Sequence, residues 1–172
     1  MRYKINKILN DETCFNIILK HHKEIKPALI EDGKYNSKIR QSSIKLLSQD
    51  EKNLIIDDPK KELNIDVQFA KYNVGDFYDW HNDLWNKEFE ELTTIVLLNE
   101  EFEGGEFQTK TNNDQIETYK LKMGESIQFP AEVFHKVKPI TKGVRYSVTI
   151  WNYINILEKS LTVHKDNSGP IK

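Results

Sequence analysis

The sequence predicts a mainly β domain, and three observations support that prediction. Residues 64–153 contain many short segments rich in β-branched and aromatic residues, glycine or asparagine turns separate these segments, and no helical pattern interrupts them. Short strands at close, even spacing are typical of sandwiches and barrels, and their number fits a jelly roll. We predict strands at 65–72, 91–98, 106–111, 117–122, 126–129, 135–140 and 145–153.

The residues before this region are predicted to support it. Residues 3–8 form a strand candidate, and Asn10 caps a helix over 12–25 whose apolar face packs on the outside of a sheet. Residues 39–47 read as a strand with Arg40 near its start. The charged stretch 49–62 is either a mobile flap or a solvated linker. We therefore expect one domain over 1–158, with support and flap in 1–63, a catalytic core in 64–153 and a tail at 159–172.

Composition disfavours some classes of function. The chain has 172 residues, 30% of them charged, with a formal net charge of −2. Such a balance lacks the basic footprint of nucleic-acid binding, so a nucleic-acid partner or a nucleobase substrate is disfavoured. No apolar run approaches the roughly 20 residues of a membrane span. Cys14 is the single cysteine, expected to be buried, and we expect a cytoplasmic protein without disulfides.

The stretch 72–83 predicts a strand, a turn and a second strand that ends in His81-Asn82-Asp83. On an extended chain residues i and i+2 point to one side, so His81 and Asp83 face the same point. His135, between two later strands, would complete a set of two histidines and one carboxylate. This set with open positions suits non-haem Fe(II).

The last long strand indicates where a pocket lies. Alternation places Arg145, Ser147, Thr149 and Trp151 on one face, and a guanidinium beside hydroxyls on an inner face would bind a dicarboxylate cosubstrate. The alternative is that Arg145 lies on a solvated face.

The order and spacing of motifs over residues 72–151 resemble the Fe(II)/2-oxoglutarate oxygenases of the prolyl 4-hydroxylase-like group. The matching residues are Tyr72, Gly75-Asp76, Tyr78, His81-Asn82-Asp83, Leu92-Thr93, Leu98-Asn99, Gly104-Gly105-Glu106-Phe107, Gly124-Glu125, Phe129-Pro130, His135-Lys136-Val137, Pro139-Ile140, Gly143-Val144-Arg145-Tyr146-Ser147 and Trp151. The resemblance implies a double-stranded β-helix, which is a form of jelly roll.

The same resemblance implies roles for individual residues. His81, Asp83 and His135 would bind iron, and Arg145 would pair with the distal carboxylate of 2-oxoglutarate. Leu97 departs from the pattern, because it stands where animal oxygen-sensing prolyl hydroxylases carry a tyrosine that touches this carboxylate. The remaining cosubstrate candidates are Tyr72, Thr93 and Thr149, with Phe107 and Val137 as apolar walls.

The implied activity is hydroxylation of an unactivated C–H bond with release of succinate and CO2. It would use Fe(II), 2-oxoglutarate and O2, with ascorbate as reductant, and a prolyl residue of a protein or peptide as substrate. The mouth would be formed by Trp85, Trp151 and the 49–62 stretch. Asn82 points away from the ligands and is a candidate substrate contact.

Two other functions stay open at this point. The same core could hydroxylate a free amino acid or another small metabolite, or it could be a non-catalytic jelly-roll module that retains a metal site. Trp80 is either core or substrate wall. His21, His22 and His164 are expected at the surface without a role.

Overall fold

The computed structural model describes residues 3–29, 34, 36–53, 55–56, 64–84, 89–111 and 114–155. Two helices and fourteen strands follow in this order: β1 (Ile5–Lys7), α1 (Asp11–His21), β2 (Lys26–Pro27), β3 (Arg40–Gln41), β4 (Ser43–Leu46), α2 (Gln49–Lys52), β5 (Asn64–Tyr72), β6 (Phe77–His81), β7 (Phe89–Leu97), β8 (Phe102–Gly104), β9 (Phe107–Lys110), β10 (Ile116–Tyr119), β11 (Glu125–Pro130), β12 (His135–Val137), β13 (Ile140–Gly143) and β14 (Arg145–Asn155).

The strands form two main antiparallel sheets. The larger sheet has the order β1-β11-β7-β14-β5-β4-β2, and the smaller has the order β10-β9-β12-β6-β3. Strands β13 and β8 form a separate two-stranded pair. Most neighbours in the two main sheets are not consecutive strands, as the crossing connections of a jelly roll require. The predicted fold class is confirmed.

Each face of the larger sheet packs against its own core. Val67, Phe69 and Val148 lie on the outer face with Cys14 and Ile17 of α1. The inner face contributes a second cluster that meets residues of the smaller sheet: Ala70, Tyr72, Ile95, Ile127 and Phe129 pack with Phe107, Tyr119 and Val137. The central strands of this sheet therefore bury residues on both faces, and Cys14 is buried as expected.

Several local predictions differ from the structure. Helix α1 ends at His21, where His22 caps it, rather than at residue 25. The predicted strand 39–47 is divided at Ser42, because β3 pairs with β6 of the smaller sheet whereas β4 pairs with β5 of the larger. Likewise, the predicted strand 135–140 is broken before β13, and α2 lies inside the 49–62 stretch.

His21 also differs from its prediction. It is buried rather than at the surface, with 1% of its area exposed. Its ring packs on Phe69 at 5.7 Å between centroids. Because His21 follows Cys14 and Ile17 at helical spacing, it belongs to the apolar face of α1.

Some predictions lie outside the described residues: Trp85, His164, the tail at 159–172, and residues 54 and 57–62 of the proposed flap. The division into support, core and tail stays a prediction. Neither described helix has the length and apolar content needed to cross a bilayer.

Candidate active site

Strand pairing brings the two predicted histidine ligands together. His81, the last residue of β6, lies directly opposite His135, the first residue of β12. Directly opposed side chains on one face of an antiparallel pair are neighbours, and these rings lie 4.1 Å apart between centroids. Asp83 follows two residues later. Its carboxylate oxygens lie 3.7 Å from His81 Nε2 and 3.5 Å from His135 Nε2.

Backbone carbonyls fix the tautomer of both histidines. The Nδ1 atoms of His81 and His135 lie 2.7 Å and 2.9 Å from the carbonyl oxygens of Asp79 and Val133. A carbonyl can only accept, so each Nδ1 carries the proton and donates it, which leaves the Nε2 lone pair free for a metal. Burial and then the neighbouring His135 hold the pKa of the His81 imidazole well below its usual value, which keeps it neutral.

Asp83 is held at two points. Its backbone N–H donates to the carbonyl of Ala131 at 2.8 Å, which ties it to the loop before His135. The Thr93 hydroxyl on β7 donates to Asp83 Oδ2 at 2.9 Å. Thr93 is fully buried, so this contact links the larger sheet to the candidate metal ligand. The sequence placed Thr93 in the pocket, but its described contact is with Asp83.

Two further residues support His81, and sequence reasoning gave them no role in the site. The Tyr78 ring stacks on the His81 ring at 3.3 Å between centroids and an interplanar angle of 11°. The Arg40 guanidinium lies over the Tyr78 ring, 4.3 Å from its centroid. Burial raises the pKa of Tyr78 to about 12, so it remains a neutral phenol. Regular alternation would place residues three apart on opposite faces, but the β12–β6 pairing shifts register between His81 and Tyr78, so local sequence pattern gave no signal for this contact.

Arg145 is a buried cation, which contradicts the solvated-face alternative. It is 2% exposed, and its Nη1 donates to Ser147 Oγ at 2.9 Å. Its guanidinium lies 5.5 Å from the ring centroid of Tyr72, which is opposite it on β5. Burial lowers the pKa of Arg145 from its usual value. Within the described ranges no carboxylate pairs with it. The desolvation cost of this buried charge is therefore not offset by an ion pair, and the carboxylate of a ligand would offset it.

The predicted cosubstrate residues lie around Arg145 to different degrees. Leu97 and Phe107 line a cavity of about 530 Å³ that also reaches Arg145. Val137 packs with Phe107 in the inner core. Thr149 is half-buried, two residues beyond Ser147 along the same face of β14. These side chains therefore share one interior surface, although only Tyr72 is in described contact with the guanidinium.

The candidate substrate residues lie near the metal end of the same surface. Trp151 is half-buried and opposite Thr93 in the β14–β7 pairing. Its indole Nε1 is buried and has no hydrogen-bond partner among the described atoms. Asn82 is exposed, and its Oδ1 accepts the Leu84 N–H at 3.3 Å. Trp85 lies outside the described residues.

The donor set fits a divalent iron ion. One ligand atom from each of His81, Asp83 and His135 lies within 4.8 Å of the other two. Two imidazole nitrogens with a free lone pair and one carboxylate match the facial arrangement typical of non-haem Fe(II). The buried Trp151 N–H, which has no described partner, and the buried Arg145 charge further indicate that polar ligands bind in this site.

Comparisons with known proteins agree with this geometry. The model of the 2OG-Fe(II) oxygenase superfamily matches residues 67–153, just over half of the chain. A PKHD-type hydroxylase of Idiomarina loihiensis is 28% identical over 118 residues, which cover 60% of this chain and 54% of the relative. The matched segments span only about a quarter to a half of the curated relatives' own length.

Two solved structures share the fold. One is a Trichoplax adhaerens prolyl hydroxylase in complex with a peptide fragment of the hypoxia inducible factor oxygen degradation domain, with a TM-score of 0.72, 19% identity and coverage of 93% of this chain and 86% of that one. The other is a viral collagen prolyl hydroxylase of Paramecium Bursaria Chlorella virus-1 in complex with 2OG, with a TM-score of 0.65, 24% identity and coverage of 89% and 96%. With its matching core, its jelly-roll fold and its paired histidines and aspartate, the chain belongs to the 2OG-Fe(II) oxygenase superfamily.

Proposed function

We propose that this protein is an Fe(II)- and 2-oxoglutarate-dependent dioxygenase that hydroxylates a prolyl residue of a protein or peptide. The observation that carries the proposal is the shared interior surface of the jelly roll. It presents His81, Asp83 and His135 at one end and, beside a cavity, the buried Arg145, which pairs with no carboxylate of the described residues. A metal-binding module would have no use for the second feature, whereas a diacid cosubstrate needs both.

The residues of the chain divide the work between binding and orientation. His81 Nε2, His135 Nε2 and an Asp83 oxygen would hold the iron, and Thr93 would keep the carboxylate turned toward it. Arg145 would hold the distal carboxylate of 2-oxoglutarate, with Ser147 fixing the guanidinium. The apolar walls of Phe107 and Val137 would exclude water. When bound, the iron supplies the activation of O2 that couples decarboxylation of 2-oxoglutarate, with release of succinate and CO2, to hydroxylation of a C–H bond.

The choice of a peptidyl substrate rests on the mouth of the site and on the relatives. Asn82 is exposed beside the ligands, and Phe134, next to His135, is 48% exposed, so each histidine ligand has a neighbour in sequence that is accessible to a large partner. The Trichoplax adhaerens enzyme of the same fold is in complex with a peptide fragment. We propose that a peptide also crosses this mouth and contacts Trp151 and Asn82. Trp85 is proposed to contribute from the sequence alone.

The test is succinate formation by the anaerobically Fe(II)-loaded protein after admission of air, with ascorbate present. Proline-containing peptides and free amino acids are supplied separately, and the masses of the products are measured by mass spectrometry. We expect a peptide to stimulate succinate formation and to gain one oxygen atom. Asp83→Ala should abolish metal binding and turnover. Asp79→Ala is the matched control, because Asp79 is an exposed carboxylate that pairs with Lys136 at 3.6 Å.

Other outcomes would redirect the proposal. Stimulation by a free amino acid alone would replace the peptide by a small metabolite as substrate. Absence of succinate despite measured iron binding would favour the non-catalytic module. Equal turnover in Asp83→Ala and Asp79→Ala would contradict the assignment of the metal ligands.

A further inference from the structure

A cavity lies beside Arg145, and the candidate metal ligands are not part of its lining. Arg145, Leu97 and Phe107 line it, whereas none of His81, Asp83 and His135 does. The Phe107 ring stands between the two regions, since it also lies 5.6 Å from the His135 ring. A cosubstrate that reaches from the metal ligands to Arg145 therefore arrives at this cavity with its distal end.

Leu97 lies in the wall of this cavity, near the hydrogen-bond partner of Arg145. It lies directly opposite Ser147 in the β14–β7 pairing, and Ser147 accepts the Arg145 Nη1 hydrogen bond. Leu97 is 4% exposed and faces the cavity with an apolar, branched side chain that offers no hydrogen bond. The remaining guanidinium donors must therefore be satisfied by a ligand or by solvent in the cavity.

The charges around the cavity favour an acid. Two of its glutamates are paired, Glu103 with Lys142 at 2.7 Å and Glu106 with Lys138 at 3.3 Å. Glu100 accepts the backbone N–H of Met123 at 3.1 Å. Arg145 has no such partner in the described part of the chain, and Lys120 and Lys122 add positive charge to the lining. The cavity can thus receive a carboxylate that extends past Arg145.

We propose, on the basis of the function proposed above, that this site accepts 2-oxo diacids longer than 2-oxoglutarate, with 2-oxoadipate as the first member. The longer chain would lie along Leu97, so its distal carboxylate would enter the cavity while it still pairs with the Arg145 guanidinium. In turnover the C1–C2 bond breaks and C1 leaves as CO2. One atom of O2 converts C2 into a carboxylate of glutarate, and the other enters the substrate C–H bond.

The test measures binding rather than turnover. The full chain is loaded with Zn(II), which has no redox chemistry, and 2-oxoglutarate and 2-oxoadipate are titrated separately by calorimetry. A pocket that cannot admit one more methylene discriminates by about 10-fold to 200-fold. We expect the two dissociation constants of the wild-type protein to differ by less than about tenfold.

Three variants at Leu97 make the test specific. Leu97→Phe and Leu97→Tyr fill the space. Each should weaken the binding of 2-oxoadipate by at least about tenfold more than the binding of 2-oxoglutarate. Leu97→Met conserves volume and should leave the ratio unchanged. Melting curves verify that each variant is folded, and the ratio is read from those that are.

The outcomes separate this inference from the function on which it rests. Binding of 2-oxoglutarate with exclusion of 2-oxoadipate would overturn the inference alone. A ratio that does not change in Leu97→Phe would overturn the role of Leu97. If the Zn(II)-loaded protein bound neither acid, the proposed function would fail as well.

Discussion

The Thr93 hydroxyl donates a hydrogen bond of 2.9 Å to Asp83 Oδ2 and so links a strand of one sheet to the segment that follows a strand of the other. Thr93 is fully buried in the larger sheet, and Asp83 follows the end of β6 in the smaller one. The bond therefore joins the two halves of the jelly roll at the candidate metal. The Thr93 hydrogen bond occupies one lone pair of Oδ2, so Asp83 Oδ1 and the second lone pair of Oδ2 remain available for coordination.

Replacing Thr93 by Val should weaken metal binding without unfolding the protein. Valine keeps the shape of the side chain but removes the donor, so the carboxylate loses its orientation. Loss of such a supporting hydrogen bond typically costs about 10-fold to 100-fold in metal affinity. The dissociation constant of Fe(II) under anaerobic conditions measures the effect, and Thr93→Ser, which keeps the hydroxyl, should restore most of it. Equal affinity in the Val variant would show that Asp83 needs no such support.

Most of the core strands and the three candidate ligands were predictable from local patterns. Alternation over a strand places His81 and Asp83 on one side, and glycine turns mark the ends of strands. Contacts between segments that are distant in sequence could not be predicted from local patterns. The direct pairing of His81 with His135 depends on which strands become neighbours, and the Thr93 contact depends on how two sheets face each other.

The errors in the prediction have physical causes. The strand expected at 39–47 looks continuous in sequence, but the chain crosses from one sheet to the other at Ser42, where the Arg40 Nε donates to the Ser42 hydroxyl at 3.0 Å. This division places Arg40 over Tyr78, beside the site. The burial of His21 was readable from its helical spacing to Ile17. The prediction was wrong because it relied on the usual surface location of histidine and not on the position of His21 on the apolar face of α1.

Replacing Arg145 by Met should stabilise the cosubstrate-free protein while abolishing cosubstrate binding. Arg145 is a buried charge without a described carboxylate partner, and apolar residues of similar volume are often neutral or stabilising at such places by about 1–4 kcal/mol. We expect an equal or higher melting temperature for the variant and no further rise on addition of 2-oxoglutarate. Arg145→Lys, which keeps the charge, should retain part of that rise. A strongly destabilised Met variant would indicate a structural role for the guanidinium.

Replacing Gly105 by Ala should displace Arg145. A Cβ at Gly105 would lie 2.4 Å from Ile140 Cδ1 and 3.1 Å from Arg145 Cδ, on a backbone with φ of +63°. The control is Gly75→Ala, which carries similar backbone strain at φ of +88° but meets no atom within 4 Å. Both variants should lose about 1 kcal/mol or more of stability, because alanine disfavours positive φ. Only Gly105→Ala should weaken 2-oxoglutarate binding in calorimetry, and parallel losses in both variants would contradict a positioning role.

Replacing His21 by Gln should make the stability of the protein less sensitive to acid. His21 is buried on α1, where its Nδ1 lies 3.2 Å from Lys45 Nζ and 3.6 Å from Glu51 Oε1. Burial, followed by Lys45, lowers the pKa of its imidazole, so below about pH 6.5 the unfolded chain binds more protons than the folded one.

The free energy of unfolding should consequently fall as the pH drops below about 6.5, by at most about 1.4 kcal/mol per pH unit for this one proton. Urea unfolding of the metal-free protein between pH 7.5 and pH 5, at intervals of about half a unit, measures the slope, and the Gln variant should show a flatter dependence. His81, whose pKa is also lowered, contributes a slope of the same sign to both proteins and cancels in their difference. His22→Gln is the matched control, because the described contacts of the His22 ring are with the carbonyls of Ile18 and Leu19 on its own helix. If His21→Gln and wild type lost stability in parallel while His22→Gln did not, the acid sensitivity would not arise from the buried ring on α1.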